Sequence, residues 1–376
     1  MGIYLDNAAT TRVDPAVASE VERVRRSAEG NASSIHQHGV NAAKHIEKAR
    51  NIIAGSINAE AEEIVFTSGG TESNNTVLKG VVSLSSNEKK HIVISAIEHP
   101  SIIETARWLE EAGISVTYVS VDRDGFVSAS DVEKALTAET VLVSIMHANN
   151  ETGTIEPIKD IGRACTERGV LFHADACQSY TKIPLDVKEQ NVDFITLNAH
   201  KIHGPKGVGA LYVRKGVKIA PLLHGGEQEA TLRSGTYNTE GIAGFGKAVE
   251  IAHTDDVKKM TELRDWFSKE LSENIEGVLL NGPDTQRLSN IINLRIRSVD
   301  GNRLAAELDR RAISVGRGSS CSSSKSTPSH VLLALGMDSK EAEESIRISL
   351  NKWTRKKELG IVVKNMIEIV TELRMV

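Results

Sequence analysis

The segment VLVSIMHANNETGTIEPIKDIGRACTERGVLFHADACQ, residues 141–178, decides the fold class. It opens on a short apolar run, Val141–Met146, rich in β-branched residues. A polar cluster follows, His147-Ala-Asn-Asn-Glu-Thr-Gly153, and then the helix-length segment Ile158–Arg168. A second short run, Val170–Ala174, ends in Asp175-Ala-Cys-Gln178. Strand, helix and strand in that order form a βαβ unit, and successive units build a mostly parallel sheet.

The same pattern extends outward. Ile64–Thr67, His91–Ser95, Ser115–Val121, Phe194–Leu197 and Gly209–Val213 read as further strands, which makes seven. Ser101–Ala112 reads as another intervening helix. Asp14-Pro15 places a cap residue before a proline suited to the first helical position. Thr327-Pro328 repeats that device, and Gly336 suits the matching stop. After about residue 252 the pattern changes. The helix-like stretches Val257–Ser272, Arg303–Arg311 and Ser339–Leu350 surround a strand at Leu288–Arg295. The expected architecture is α/β. Residues 13–252 form a large domain, a mostly parallel seven-stranded sheet flanked by helices. Residues 1–12 and 253–376 form a smaller α+β domain.

Bulk properties exclude several classes. Of 376 residues, 40% are apolar and 25% charged, the composition of a soluble globular protein with room for two domains. The formal net charge is −5 with no basic block, which argues against a nucleic-acid surface. The first residues lack the basic-then-apolar order of a signal peptide, and Asp6 breaks the myristoylation pattern. No apolar run has the length of a membrane span. The three cysteines, Cys165, Cys177 and Cys321, form no CxxC and no even framework, as expected of a reducing cytoplasm.

The candidate chemistry lies after the strands. Ile64–Thr67 leads into Ser68-Gly-Gly-Thr-Glu-Ser73, where glycines allow close backbone approach and a helix start offers N–H groups to an anion. Glu98-His99, His147–Gly153, Asp175–Gln178 and Asn198-Ala-His-Lys201 follow other strands. In open parallel sheets ligands bind at that edge. One such cluster is an ordinary polar loop; five at one edge describe a site. A phosphate cup, a lysine amine, a carboxylate and a flat side chain together suit pyridoxal phosphate, whose ring draws electrons when its nitrogen stays protonated. Taken alone, Lys201 reads as a surface lysine.

The order of motifs resembles the NifS/IscS family of cysteine desulfurases, in the class V aminotransferase group of fold-type I pyridoxal-phosphate enzymes. Tyr4-Leu-Asp-Asn-Ala-Ala-Thr-Thr11, Phe66-Thr-Ser-Gly-Gly-Thr-Glu-Ser-Asn74, Glu98-His99 and His147-Ala-Asn-Asn-Glu151 carry the first half. His173-Ala-Asp-Ala-Cys-Gln178, His200-Lys201 with its glycine-rich loop, Arg233-Ser-Gly-Thr236, Gly318-Ser-Ser-Cys321 and Ser345-Ile-Arg347 carry the second.

The resemblance implies a Schiff base on Lys201, a pairing of Asp175 with the pyridinium nitrogen, and a hydrogen bond from Gln178 to the ring hydroxyl. His99 would stack on the ring and also move a proton. Gly70, Thr71, Asn198 and His200 would hold the phosphate, and Thr236 would reach the phosphate of a neighbouring subunit in a homodimer. Asn150 would contact cofactor or substrate. Arg347 would grip the carboxylate of L-cysteine, a task suited to a planar guanidinium. Cys321 would accept the sulfur as a persulfide and pass it to an acceptor, such as an iron–sulfur scaffold or a tRNA-thiolation protein. Arg317 and Lys325 nearby in sequence would favour its thiolate. No resident metal is implied; whether Cys321 also ligates a cluster transiently stays open, as does the identity of the acceptor.

Three departures stand out. Asn198 replaces the usual serine, Ser320-Cys321-Ser322 replaces Ala-Cys-Thr, and Cys177 sits where small non-thiol residues are common. An aminotransferase or a selenocysteine lyase is the rival within the fold, and the Gly/Ser-flanked Cys321 speaks against the former. A metal protein using His173, Asp175 and Cys177 is a rival of another class, as is a non-catalytic sulfur-assembly partner.

Overall fold

The computed structural model describes residues 2–86, 90–316 and 327–375. Its strands are β1 (Ile3–Leu5), β2 (Ile64–Thr67), β3 (His91–Ser95), β4 (Ser115–Val119), β5 (Thr140–Ser144), β6 (Leu171–Asp175), β7 (Phe194–Asn198), β8 (Gly209–Val213), β9 (Val278–Leu280), β10 (Ile291–Ile296), β11 (Ile313–Val315) and β12 (Ser345–Ser349).

A seven-stranded sheet runs in the order β2-β8-β7-β6-β5-β3-β4. β7, β6, β5, β3 and β4 pair in parallel, while β8 is antiparallel to both β7 and β2. Six strands therefore point one way, and the C-terminal ends of β2, β3, β5, β6 and β7 share one edge. Both faces are covered, as all-parallel ladders require. Val93, Val143, Phe172 and Ile195 pack with Ile53, Ile161 and Phe245 from helices on one side. Their alternating neighbours Ile92, Leu142 and Phe194 pack with Leu78 and Ile102 on the other.

A second core has its own antiparallel sheet, β9-β10-β12. Helices Thr254–Asn274, Gly301–Arg310 and Lys356–Arg374 contribute Phe267, Leu308 and Met366 to it, alongside Leu294, Ile346 and Ile348. Leu5 joins this core because β1 pairs in parallel with β11.

Two expectations are corrected here. The stretch Ser339–Leu350 is not one helix: the helix ends at Glu343 and β12 follows. Ser345-Ile-Arg-Ile-Ser349 alternates with period two, and Ile346 and Ile348 enter the core while β12 pairs with β10. The helix expected to start at Pro328 starts instead at His330, because the Ser329 hydroxyl supplies the cap by accepting from Leu332 N. Its stop behaves as expected, with Gly336 at φ +90°. The other strand and helix ends move by a few residues; Val121, for example, leaves β4 for an isolated bridge to Val127.

Candidate active site

The shared strand edge opens into a cavity of about 260 Å³. Gly70, Thr71, His99, Asn150, Asp175, Gln178, Asn198, His200 and Lys201 all line it, together with Cys177, Asn74 and Ser101. The sheet explains the convergence: Asp175 ends β6, Asn198 ends the neighbouring β7, and His99 lies just past β3. Three expected residues stand elsewhere. Thr236 is exposed and away from the cavity. Arg347 is buried in β12, beside the cavity wall, with Nη1 donating to Asn150 O at 3.0 Å. Cys321 lies outside the described residues, as do Arg317 and Lys325.

The anion cup follows from backbone geometry. Gly69 adopts φ +151° where β2 turns into helix Gly70–Leu84. A Cβ at Gly70 would lie 2.6 Å from Cys177 Sγ, so only glycine leaves the cup open. Glu72, two residues on, accepts from Ser68 N at 2.9 Å and pairs with Arg233 Nε at 2.9 Å. This joins the cup to the motif that carries Thr236.

Asp175 is the charged group at the floor. Burial alone would raise its carboxyl, but a hydrogen bond from Asn74, the nearby His99 and the Cys177 backbone N–H hold it below the ordinary range. Asn74 Nδ2 donates to Oδ2 at 2.8 Å and Cys177 N donates to Oδ1 at 2.9 Å. The histidines are kept neutral. Burial, and then the Lys201 charge, push His99 down to about 4, and the same causes act on His200. The Cys177 thiol is pushed well up by burial and by Asp175, which makes it a poor nucleophile.

The donor set fits pyridoxal phosphate. A buried, ionised carboxylate suits a pyridinium nitrogen. Gln178 donates Nε2 to Ala8 O at 2.9 Å and leaves Oε1 buried with no partner among the described residues, as a ring hydroxyl would require. Asn198 Nδ2 lies 3.8 Å from where a Cβ would stand at Gly70, which sets an amide donor at the cup, and the glycine-opened helix start offers further N–H groups to a phosphate. The metal alternative finds no support: His173 gives both ring nitrogens to Ser144 Oγ (2.8 Å) and Thr196 Oγ1 (3.0 Å). Among the described residues no group of three or more metal-ligating side chains gathers.

Three contributors were missed by sequence reading: Asn74, Ser101, which lines the cavity beside His99, and Lys182. Asn74 lies one helical turn beyond Gly70, a spacing that points it back to the cup. Lys182 follows Gln178 by four residues, and its Nζ donates to Gln178 O at 2.7 Å and, at a longer 3.4 Å, to Lys201 O. Burial, with Lys201 beside it, pushes its ammonium down to about 7.

Residues 3–362 match the family model for aminotransferase class-V. The chain belongs to the class-V aminotransferase family. Within this family it is 46% identical over 375 residues to cysteine desulfurase IscS of Dictyoglomus turgidum, covering 99% of this chain and 95% of the relative. It is 41% identical over 377 residues to cysteine desulfurase IscS of Clostridium botulinum, again covering 99% and 95%. A solved NifS-like protein superposes with a TM-score of 0.92 at 39% identity, over 99% of this chain and all of the other. SspA, solved in complex with cysteine, superposes with a TM-score of 0.85 at 37% identity, over 94% and 100%. No helix among the described residues is long and apolar enough to cross a membrane.

Proposed function

We propose that the cavity is the active site of a pyridoxal-phosphate-dependent cysteine desulfurase, which releases L-alanine from L-cysteine and leaves the sulfur on Cys321. The observation that carries this reading is the meeting of Lys201, Asp175, His99 and the Gly70–Thr71 cup in one cavity. When bound, pyridoxal phosphate supplies an electron sink for the substrate's α-carbon. Lys201 provides the amine that holds it. Asp175 would stay ionised against its ring nitrogen, Gln178 Oε1 would accept from its hydroxyl, and Gly70, Thr71, Asn198 and His200 would hold its phosphate. Asn150 and Arg347 orient the cysteine carboxylate. The Cys321 thiolate attacks the substrate sulfur, the carbon–sulfur bond breaks, and a persulfide remains on Cys321. The carbon that lost sulfur takes a proton and leaves as alanine.

The reading includes a homodimer in which Thr236 serves the neighbour's phosphate, and a sulfur-acceptor protein such as an iron–sulfur scaffold. Its supports are the exposure of Thr236 and the tie between its motif and the cup through Arg233–Glu72. It also divides the chain into 13–252 and 1–12 with 253–376, in keeping with two separate cores, one extending to Val249 and the other gathering Leu5 with Met260 onward. A cytoplasmic location agrees with the free, buried Cys165 and Cys177.

Lys201→Ala tests the cofactor assignment. It should remove the borohydride-reducible visible chromophore; a variant that keeps it would overturn the role of Lys201.

A further inference from the structure

The neighbours of His99 determine which of its nitrogens carries the proton. Asp175 is ionised and can only accept, and an Asn74 side-chain atom lies 2.8 Å from its Oδ2. That atom must be the amide nitrogen, so the orientation of Asn74 follows from chemistry. The same nitrogen lies 2.8 Å from Ser101 Oγ and donates to it. The Ser101 backbone N–H points at His99 Nδ1, with N···N 3.2 Å, so Nδ1 carries no proton. Ser101 Oγ also lies 2.9 Å from Nδ1, and two acceptors at that distance need a hydrogen between them. The hydroxyl hydrogen therefore points to Nδ1, and the ring proton sits on Nε2. Asn74 and Ser101 are both buried, with 1% and 9% of their surface exposed, so water does not readily compete for these bonds.

We propose that Ser101, aimed by Asn74, is a positioning residue that fixes His99 as the neutral Nε2–H tautomer, so that His99 serves the reaction as a hydrogen-bond donor and not as a proton acceptor. The inference rests on the cofactor reading above and deepens it. Proton uptake at Nδ1 would break the bond from the Ser101 backbone N–H and force the Ser101 hydroxyl to turn from donor to acceptor. It would also place a positive charge at the N-terminus of helix Pro100–Glu111, which His99 caps, where the aligned peptide dipoles already put positive partial charge. The charged and titratable neighbours of the ring are Lys201, Asp175, His330 and His200. Lys201 opposes a second positive charge there, and the negative charge of Asp175 is already answered by Asn74 and Cys177 N. Proton movement at the substrate carbon is thereby left to Lys201.

The test is ¹⁵N NMR of the full chain labelled in histidine, with and without pyridoxal phosphate, His99 being assigned by loss of its signals in His99→Gln. The expected result is one protonated and one unprotonated ring nitrogen, unchanged from about pH 5.5 to 8. Ser101→Ala keeps the backbone N–H and loses only the hydroxyl donor, so it should raise the His99 titration midpoint by about one pH unit, read in spectra extended down to about pH 4, and Ser101→Thr should restore the original pattern. A merely structural serine would leave the ring nitrogens unmoved. A proton on Nδ1, titration of the original chain within that range, or identical spectra in Ser101→Ala would each overturn the proposal. Failure of the original chain to take up pyridoxal phosphate would overturn the cofactor reading instead, since the tautomer is also measured without it.

Discussion

Arg347 Nη2 lies 2.9 Å from Asp6 Oδ1, which ties β12 to the N-terminal motif while Nη1 holds the carbonyl of Asn150. The arginine is 2% exposed, so its charge depends on these partners. In the proposed reading, the arginine that grips the substrate carboxylate is thus held from two sides. Arg347→Ala should raise the KM for L-cysteine by tenfold or more, on the order of the 1.5–3 kcal/mol of a charged hydrogen bond. Asp6→Asn should leave the charge but loosen its aim, with a smaller rise. Steady-state kinetics of both variants check this; an unchanged KM in Arg347→Ala would remove Arg347 from substrate binding.

Lys182 bridges two loops beyond the last rung of the β6–β7 ladder, which ends at Asp175 and Thr196. Burying an ammonium is costly, and here it holds the main chains of Gln178 and Lys201 at once. Lys182→Met should weaken pyridoxal phosphate binding by about tenfold and reduce the cofactor-linked gain in Tm. If the variant lowers the Tm of loaded and unloaded protein equally, Lys182 is only a turn cap.

Glu98 shows a pH effect with a definite sign. Burial, against donation from Ser95 and Met146 N, pushes its carboxyl up to about 8 from the usual 4.5. The unfolded chain ionises first, so folding stability falls as pH rises from about 4.5 to 8 and levels above that. Glu98→Gln keeps an acceptor oxygen for both donors and removes the titration. Chemical denaturation at several pH values should show the variant gaining on the original chain toward pH 8; parallel curves would contradict a buried neutral carboxyl.

Asp175 gives the opposite limb. Its carboxyl is held low, so its contribution is present above the ordinary carboxylate range and is lost as pH falls through its folded value. Asp175→Asn should flatten the acid limb of the stability curve and cut turnover by a hundredfold or more, with the loss read as a fall in kcat at saturating L-cysteine.

The sheet was legible because β-branched runs and helix-length segments alternate, and because each strand ends in polar residues; β2, β3 and β8 fall where they were expected. β12 was misread because five residues flanked by a helix present too few periods to separate strand from helix. Ser329 displaced Pro328 as a helix start because a hydroxyl that reaches the backbone outweighs a favourable φ. At the site, Lys201, Asp175, His99 and the glycine cup were legible from motif order. Asn74, Ser101 and Lys182 were not, since their roles depend on hydrogen bonds between elements distant in sequence. Arg347 was singled out from its motif, but its pairing with Asp6 depends on contacts between the two ends of the chain that no local pattern shows.

The most direct test of the central claim adds L-cysteine to purified protein loaded with pyridoxal phosphate, measures alanine, and traps persulfide on Cys321 in the same sample. The account predicts alanine in a first turnover equal to the Cys321 persulfide formed, and no persulfide in Cys321→Ser. Steady alanine release from Cys321→Ser, or an unreactive original chain with its chromophore intact, would contradict it.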